Sequence, residues 1–90
     1  MADHQLTSEI FYTDGTRQKI VIAMGTVMDY ESAFEKVFLR SASEVYAQAW
    51  ITWRQCQKID PDTPTLEEWA ETVDWLYVVF PKPIEEHSSG

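Results

Sequence analysis

The chain has 90 residues, enough for one hydrophobic core and too few for two ordinary domains. Fifteen acidic residues against seven basic ones give a formal charge of −8, which disfavours attachment to phosphate backbones and anionic membranes and so excludes the usual nucleic-acid binder. With 44% hydrophobic and 13% aromatic residues, the apolar surface suffices to offset the entropy of ordering one compact unit.

Residues 1–9 are mostly polar without a sustained period and read as a flexible N-terminal arm. A β-hairpin is expected over residues 10–23, turning at Asp14-Gly15, because both turn residues tolerate positive φ; Ile20 and Ile22 are expected to face the core. Thr26 or Asp29 can cap a first helix over about residues 29–40, whose Tyr30, Ala33, Phe34, Val37 and Phe38 recur at spacings of three and four. Ser41 or Ser43 can cap a second, central helix over about 44–58, with Tyr46, Ala49, Trp50 and Trp53 along one stripe. Val45, Ala49, Thr52 and Cys56 mark an adjoining stripe, so this helix is expected to pack on two sides.

The Asp60-Pro61-Asp62-Thr63-Pro64 segment ends the second helix, since proline lacks an amide donor and biases its predecessor away from helix. Thr65-Leu66-Glu67-Glu68 reads as a capping box that starts a third helix over about 66–75, with Leu66, Trp69, Ala70 and Val73 on its buried side. The run Trp75 to Phe80 either extends that helix or forms a short C-terminal strand beside the hairpin, and its aromatic and β-branched content favours the extended form. Residues 81–90 read as a flexible tail after Pro81-Lys82-Pro83. The expected fold is therefore α+β and mainly helical: one compact domain over 10–80, with a hairpin followed by a three-helix unit.

The chemistry-bearing residues do not assemble into a catalytic pattern. His4 lies in the arm and His87 in the tail, away from any rigid element that could orient them. Cys56 is the lone cysteine, which excludes an intrachain disulfide and a Cys-based zinc site; late on an apolar helix, it reads as a small core residue. Asp60, Asp62, Glu67, Glu68, Glu71 and Asp74 lack the spacing and the central glycine of a calcium loop. Gly15, Gly25 and Gly90 are too far apart for a phosphate-cradling loop. No enzyme activity, metal or cofactor is expected. With no apolar run that spans a bilayer and no secretion signal, a cytoplasmic protein without membrane association is expected.

What remains is recognition of another protein. Hiding four indoles with every N–H satisfied is demanding in so small a helical unit, so at least one Trp is expected to reach the surface. Tyr46, Trp50, Trp53, Trp69 and Trp75 are the candidate partner-binding residues, since exposed rings at the centre of a patch are typical hot spots. A second copy of the chain can cover the same apolar helix surface, so a homo-oligomer is compatible with this reading.

The order Thr13-Asp14-Gly15-Thr16, Asp29-Tyr30, Ala49-Trp50-Ile51-Thr52-Trp53-Arg54 and Thr65-Leu66-Glu67-Glu68-Trp69 resembles the small tail assembly chaperones of long-tailed bacteriophages over roughly residues 10–79. The resemblance implies a mainly helical, acidic, non-enzymatic protein that keeps the tape measure protein soluble in the host cytoplasm during tail assembly. An alternative reading of the acidic residues is an inhibitor or anti-defence protein that mimics nucleic acid and binds a basic enzyme, with five or six of the carboxylates Asp60, Asp62, Glu67, Glu68, Glu71 and Asp74 facing the same way from one loop and helix. Charge reversal at Glu67, Glu71 and Asp74 is then expected to abolish binding.

Overall fold

The computed structural model describes residues 5–81. Strand β1 (Leu6–Tyr12) and strand β2 (Arg17–Ile22) form the hairpin, followed by helices α1 (Met24–Phe34), α2 (Phe38–Ser41), α3 (Val45–Ile59) and α4 (Leu66–Ala70), and then strand β3 (Val73–Val79). The sheet is antiparallel throughout, in the order β2-β1-β3, so the first strand is central and the last strand lies beside it. Helices account for 45% of the described residues and strands for 26%, which corrects the mainly helical expectation: this is an α+β domain with a complete sheet layer.

Two segments produce that correction. Residues 6–9, read from sequence as part of a flexible arm, belong to β1, where Ser8 is fully buried. Residues 73–75, expected at the end of a helix, begin β3 instead. Helix α4 stops at Ala70, and Val73 to Val79 pairs with Tyr12 to Thr7. Val73, Val78 and Val79 are β-branched, and the unpaired side of β1 offers them a ladder that an isolated helix end cannot match. Asp74 is the extra residue of a bulge, since Phe11 pairs with Trp75 and Tyr12 with Val73. Residues 1–4 and 82–90, which include part of the expected arm and most of the expected tail, lie outside the described residues.

At the hairpin the loop is Thr13-Asp14-Gly15, closed by the Tyr12 N–H bonding the Thr16 carbonyl at 2.9 Å. Only Gly15 takes positive φ, at 92°, so the turn is a three-residue one and Asp14 acts through its side chain, accepting from the Thr16 N–H at 2.9 Å. The Thr16 hydroxyl also donates to Asp14 Oδ1, at 2.7 Å, and the hydroxyl first and the N–H second hold the Asp14 carboxyl below its usual value.

The first expected helix is two. Helix α1 starts five residues early, with Ala23 at its N-cap, and the Thr26 hydroxyl donates to Gln55 Oε1 instead of capping. Glu35 then turns left-handed (φ 53°), which breaks the helix before Val37. Phe38 opens α2 as one of the most buried side chains in the molecule. Helix α3 has Glu44 at its N-cap with no side-chain bond, so neither Ser41 nor Ser43 caps it. At α4 the capping residue is as expected: Thr65 Oγ1 accepts from the Glu68 N–H at 3.3 Å.

The core lies between one face of the sheet and α3. Ile10, Ile20, Ile22 and Leu76 point from the sheet, and Tyr30, Phe38, Ala47, Ile51, Cys56, Leu66 and Trp69 meet them from the helices. The expected inward facing of Ile20 and Ile22 is observed, with Val21 on the opposite face. Among the described residues no helix lies over that opposite face, which carries Phe11, Arg17, Lys19, Trp75, Tyr77 and Val79. Among the described residues no helix is long and apolar enough to cross a membrane.

Candidate functional site

Helical spacing places Tyr46, Trp50, Trp53 and Gln57 on one side of α3. The rings form a connected group: Trp50 meets Trp53 at 5.9 Å between centroids, Phe34 at 5.5 Å and Tyr30 at 5.8 Å, all edge-on. Tyr46 extends the group through Phe34 at 6.1 Å and is 57% exposed, while Trp50 and Trp53 are partly buried. Helix α1 therefore supports the back of the group and leaves its front open.

The loop after α3 builds the facing wall. Asp60 Oδ1 accepts from the Asp62 N–H at 3.0 Å, and the Thr63 hydroxyl bonds the Asp60 carbonyl at 2.7 Å, so the loop curls back on the helix end. The Trp53 indole N–H then donates to the Pro64 carbonyl at 2.8 Å. This bond satisfies the polar edge of the indole and sets Pro64 against its ring. Tyr46, Trp50 and Trp53 on one side and Pro64, Thr65 and Glu67 on the other bound an open groove of about 410 Å³.

Three of the five candidate binding residues thus come together, and two do not. Trp69 is 5% exposed and packs in the core, away from the open side of the α3 group. Helix α4 is too short to carry it outward, and its ring seals the junction of α3, α4 and the sheet. Trp75 is half exposed, but it stands on β3 next to a separate hollow of about 220 Å³ that Val45, Ala49, Ala70 and Val73 help to line. Sequence reasoning passed over the uncovered face of the sheet, where Tyr77 is 53% exposed and meets Phe11 at 5.9 Å, with Arg17 over the Phe11 ring at 5.6 Å. The signal was present in the alternation of Trp75, Tyr77 and Val79 with Leu76 and Val78, which needs the strand assignment before it has meaning.

Charge around α3 is organised on its other flank. Asp29 of α1 pairs with Lys58 at 2.9 Å and Arg54 at 3.1 Å, joining the two helices. Lys58 first and Arg54 second hold the Asp29 carboxyl below the usual carboxylate value. Because α4 ends at Ala70, Glu67, Glu71 and Asp74 lie on a helix, a turn and a bulge in place of one continuous helix.

Cys56 is buried and free, and desolvation pushes its thiol up to about 11, so it is protonated and unreactive at neutral pH. Among the described residues no group of three or more His, Cys, Asp or Glu could hold a metal ion. His4 and His87 fall outside the described residues. No family model, no curated protein and no solved structure matches this chain.

Proposed function

We propose that this protein is a non-enzymatic phage tail assembly chaperone that works in the host cytoplasm and holds an apolar helical segment of the tape measure protein in the α3 groove. The observation that carries the reading is the grouping of Tyr46, Trp50 and Trp53 on one face of α3, opposite a wall fixed by the Trp53–Pro64 bond. An aromatic wall of partly exposed rings facing a polar wall of Thr65 and Glu67 suits an amphipathic helix, whose apolar i, i+3 and i+4 side chains can pack on the rings while its polar side meets the loop. The net charge of −8 supports the second half of the role, since it keeps a complex with an apolar client dispersed. The identity of the client rests on the resemblance carried by the Trp50 to Arg54 and Thr65 to Trp69 segments.

The test is co-expression with a phage tape measure protein. Wild type is expected to bring that protein into the soluble fraction and to co-purify with it at both low and high salt, because the contact is apolar. Tyr46→Lys, an exposed change that leaves the core intact, is expected to reduce co-purification by an order of magnitude, and Trp50→Ala to abolish it. Absence of any complex with wild-type protein overturns the reading. Binding that salt dissolves and that Glu67→Lys abolishes, with Tyr46→Lys unaffected, replaces it with the acidic-inhibitor alternative.

A further inference from the structure

Strand β3 is an edge of the sheet, and its two edges are treated differently. The outer strand β2 carries Arg17 and Lys19, charges of the kind that discourage pairing with another chain. Over its seven residues β3 carries one charge, Asp74, and it displays Trp75, Tyr77 and Val79 about half exposed. An apolar edge of this length is a template for a further strand unless something covers it.

Among the described residues the hydrogen bonds show how little does. The Val78 N–H donates to Gln48 Oε1 at 3.2 Å, so it points away from β1 towards α3. By the two-residue repeat of a strand, the N–H and C=O of Leu76 point the same way. Among the described residues no hydrogen bond from outside the sheet reaches Leu76. Gln48 is itself fixed, since its Nε2 donates to the Ala42 carbonyl at 2.6 Å, and it occupies for one amide the position that a neighbouring strand's carbonyl would take. Beneath the edge lies the 220 Å³ hollow, walled by Val45, Ala49, Trp69 and Ala70, which an incoming strand would roof.

We propose that this edge is covered by β3 of a second copy of the chain, paired antiparallel about a two-fold axis at Leu76, so that two three-stranded sheets join into one of six strands. The sequence of β3 is complementary to itself in that register. Leu76 exchanges both backbone bonds with its equivalent, and Trp75 falls opposite Tyr77 of the other copy, giving two cross-strand aromatic pairs on the uncovered face. Asp74 falls opposite Val78, so no like charges meet across the new ladder. Gln48 gives up its place at Val78 to the Asp74 carbonyl of the other copy. With aromatic side chains of about 150–250 Å² each, the half-exposed Trp75 and Tyr77 with Val79 and Val45 offer at most on the order of 400 Å² per copy, or roughly 800 Å² in all. That area falls short of the roughly 1,000 Å² of a stable specific interface, so the dimer is weak and dependent on concentration. Its charge opposes it, and salt strengthens it by screening. The pairing leaves the α3 groove free and does not depend on the client reading.

Light scattering after size exclusion, from micromolar to millimolar protein, reads the mass directly. The expected result is a rise from 10.5 kDa towards twice that value with concentration, and a larger dimer fraction in added salt. Trp75→Lys with Tyr77→Lys is expected to remove the dimer, whereas Val21→Lys, on the same face at the far edge, is expected to leave it intact. Amide exchange of the unmodified chain provides a readout free of folding effects: Leu76 is expected to gain protection at least tenfold as concentration rises. A mass of 10.5 kDa throughout, or a dimer that survives the double substitution with Leu76 exchanging freely, overturns the proposal. So does a chain that stays monomeric and protects Leu76 only when the tape measure protein is added, which would give the edge to a client strand.

Discussion

The Ser8 hydroxyl donates to the Thr52 hydroxyl across 2.7 Å in the interior, joining the central strand to the central helix. The direction follows from the neighbour: Thr52 Oγ1 lies 2.8 Å from the Gln48 carbonyl, which can only accept, so Thr52's single proton is committed there. Thr52→Val leaves the Ser8 hydroxyl buried without an acceptor and is expected to cost about 1–3 kcal/mol, while Ser8→Ala costs about 1 kcal/mol. Chemical denaturation of Ser8→Ala/Thr52→Val is expected to give a loss smaller than the sum of the two, by about 1 kcal/mol. Strictly additive losses would show that the hydroxyls do not act as a pair.

Asp29 ties α1 to α3 through Lys58 and Arg54, and its lowered carboxyl makes that tie sensitive to acid. A carboxyl whose folded value lies below its unfolded value of 3.8 stabilises the fold fully above that pH and loses the contribution as pH falls through the folded value. Asp29→Asn is therefore expected to melt lower than wild type at neutral pH, with the difference closing as pH drops below about 4. The pair is partly exposed, so the difference is also expected to shrink in high salt. Parallel melting curves down to strong acid would contradict this.

Cys56 has the opposite sense. Its thiol is raised from 9.0 to about 11 by burial, so the folded state holds the proton after the unfolded state has lost it, and stability falls as pH rises from 9.0 through about 11. Alkylation at mildly alkaline pH is expected to run at least about a hundredfold slower in the folded chain than for a free cysteine, because little thiolate forms. Denaturant is expected to restore the ordinary rate. Rapid labelling of the folded protein would place the thiol at the surface.

Glu35 ends α1 in the left-handed region, at φ 53° and ψ 43°, where a side chain other than glycine is strained. Glu35→Gly is expected to raise stability by about 0.5–1 kcal/mol, and Glu35→Ala to give no gain. Thermal unfolding of the two variants side by side checks the sign. A glycine variant less stable than wild type would mean that the Glu35 side chain contributes more than its backbone costs.

The parts of the fold legible from sequence are those decided over a few neighbouring residues. The turn at Asp14-Gly15, the Thr65 cap and the extent of α3 follow from local hydrogen bonding and helical period, and the structure has them within a residue or so. Tyr46, Trp50 and Trp53 were likewise legible as a stripe, because helix geometry alone brings them to one side. The break of the first helix at Glu35 was hidden, since Phe34 and Phe38 keep a spacing of four whether or not the helix continues between them.

Composition and local pattern by themselves determined an acidic chain, a hairpin turn and an aromatic-faced helix. Tertiary structure alone decided that Val73 to Val79 is a strand, that residues 6–9 join the sheet, and hence that Trp69 is buried while Trp75 is exposed. The reason is that an apolar run of seven residues satisfies its own backbone as a helix or a neighbour's as a strand, and only the presence of a free ladder on β1 selects between them. Once that ladder forms, the two-residue repeat turns Leu76 and Val78 inward and leaves Trp75, Tyr77 and Val79 on the face that no helix covers.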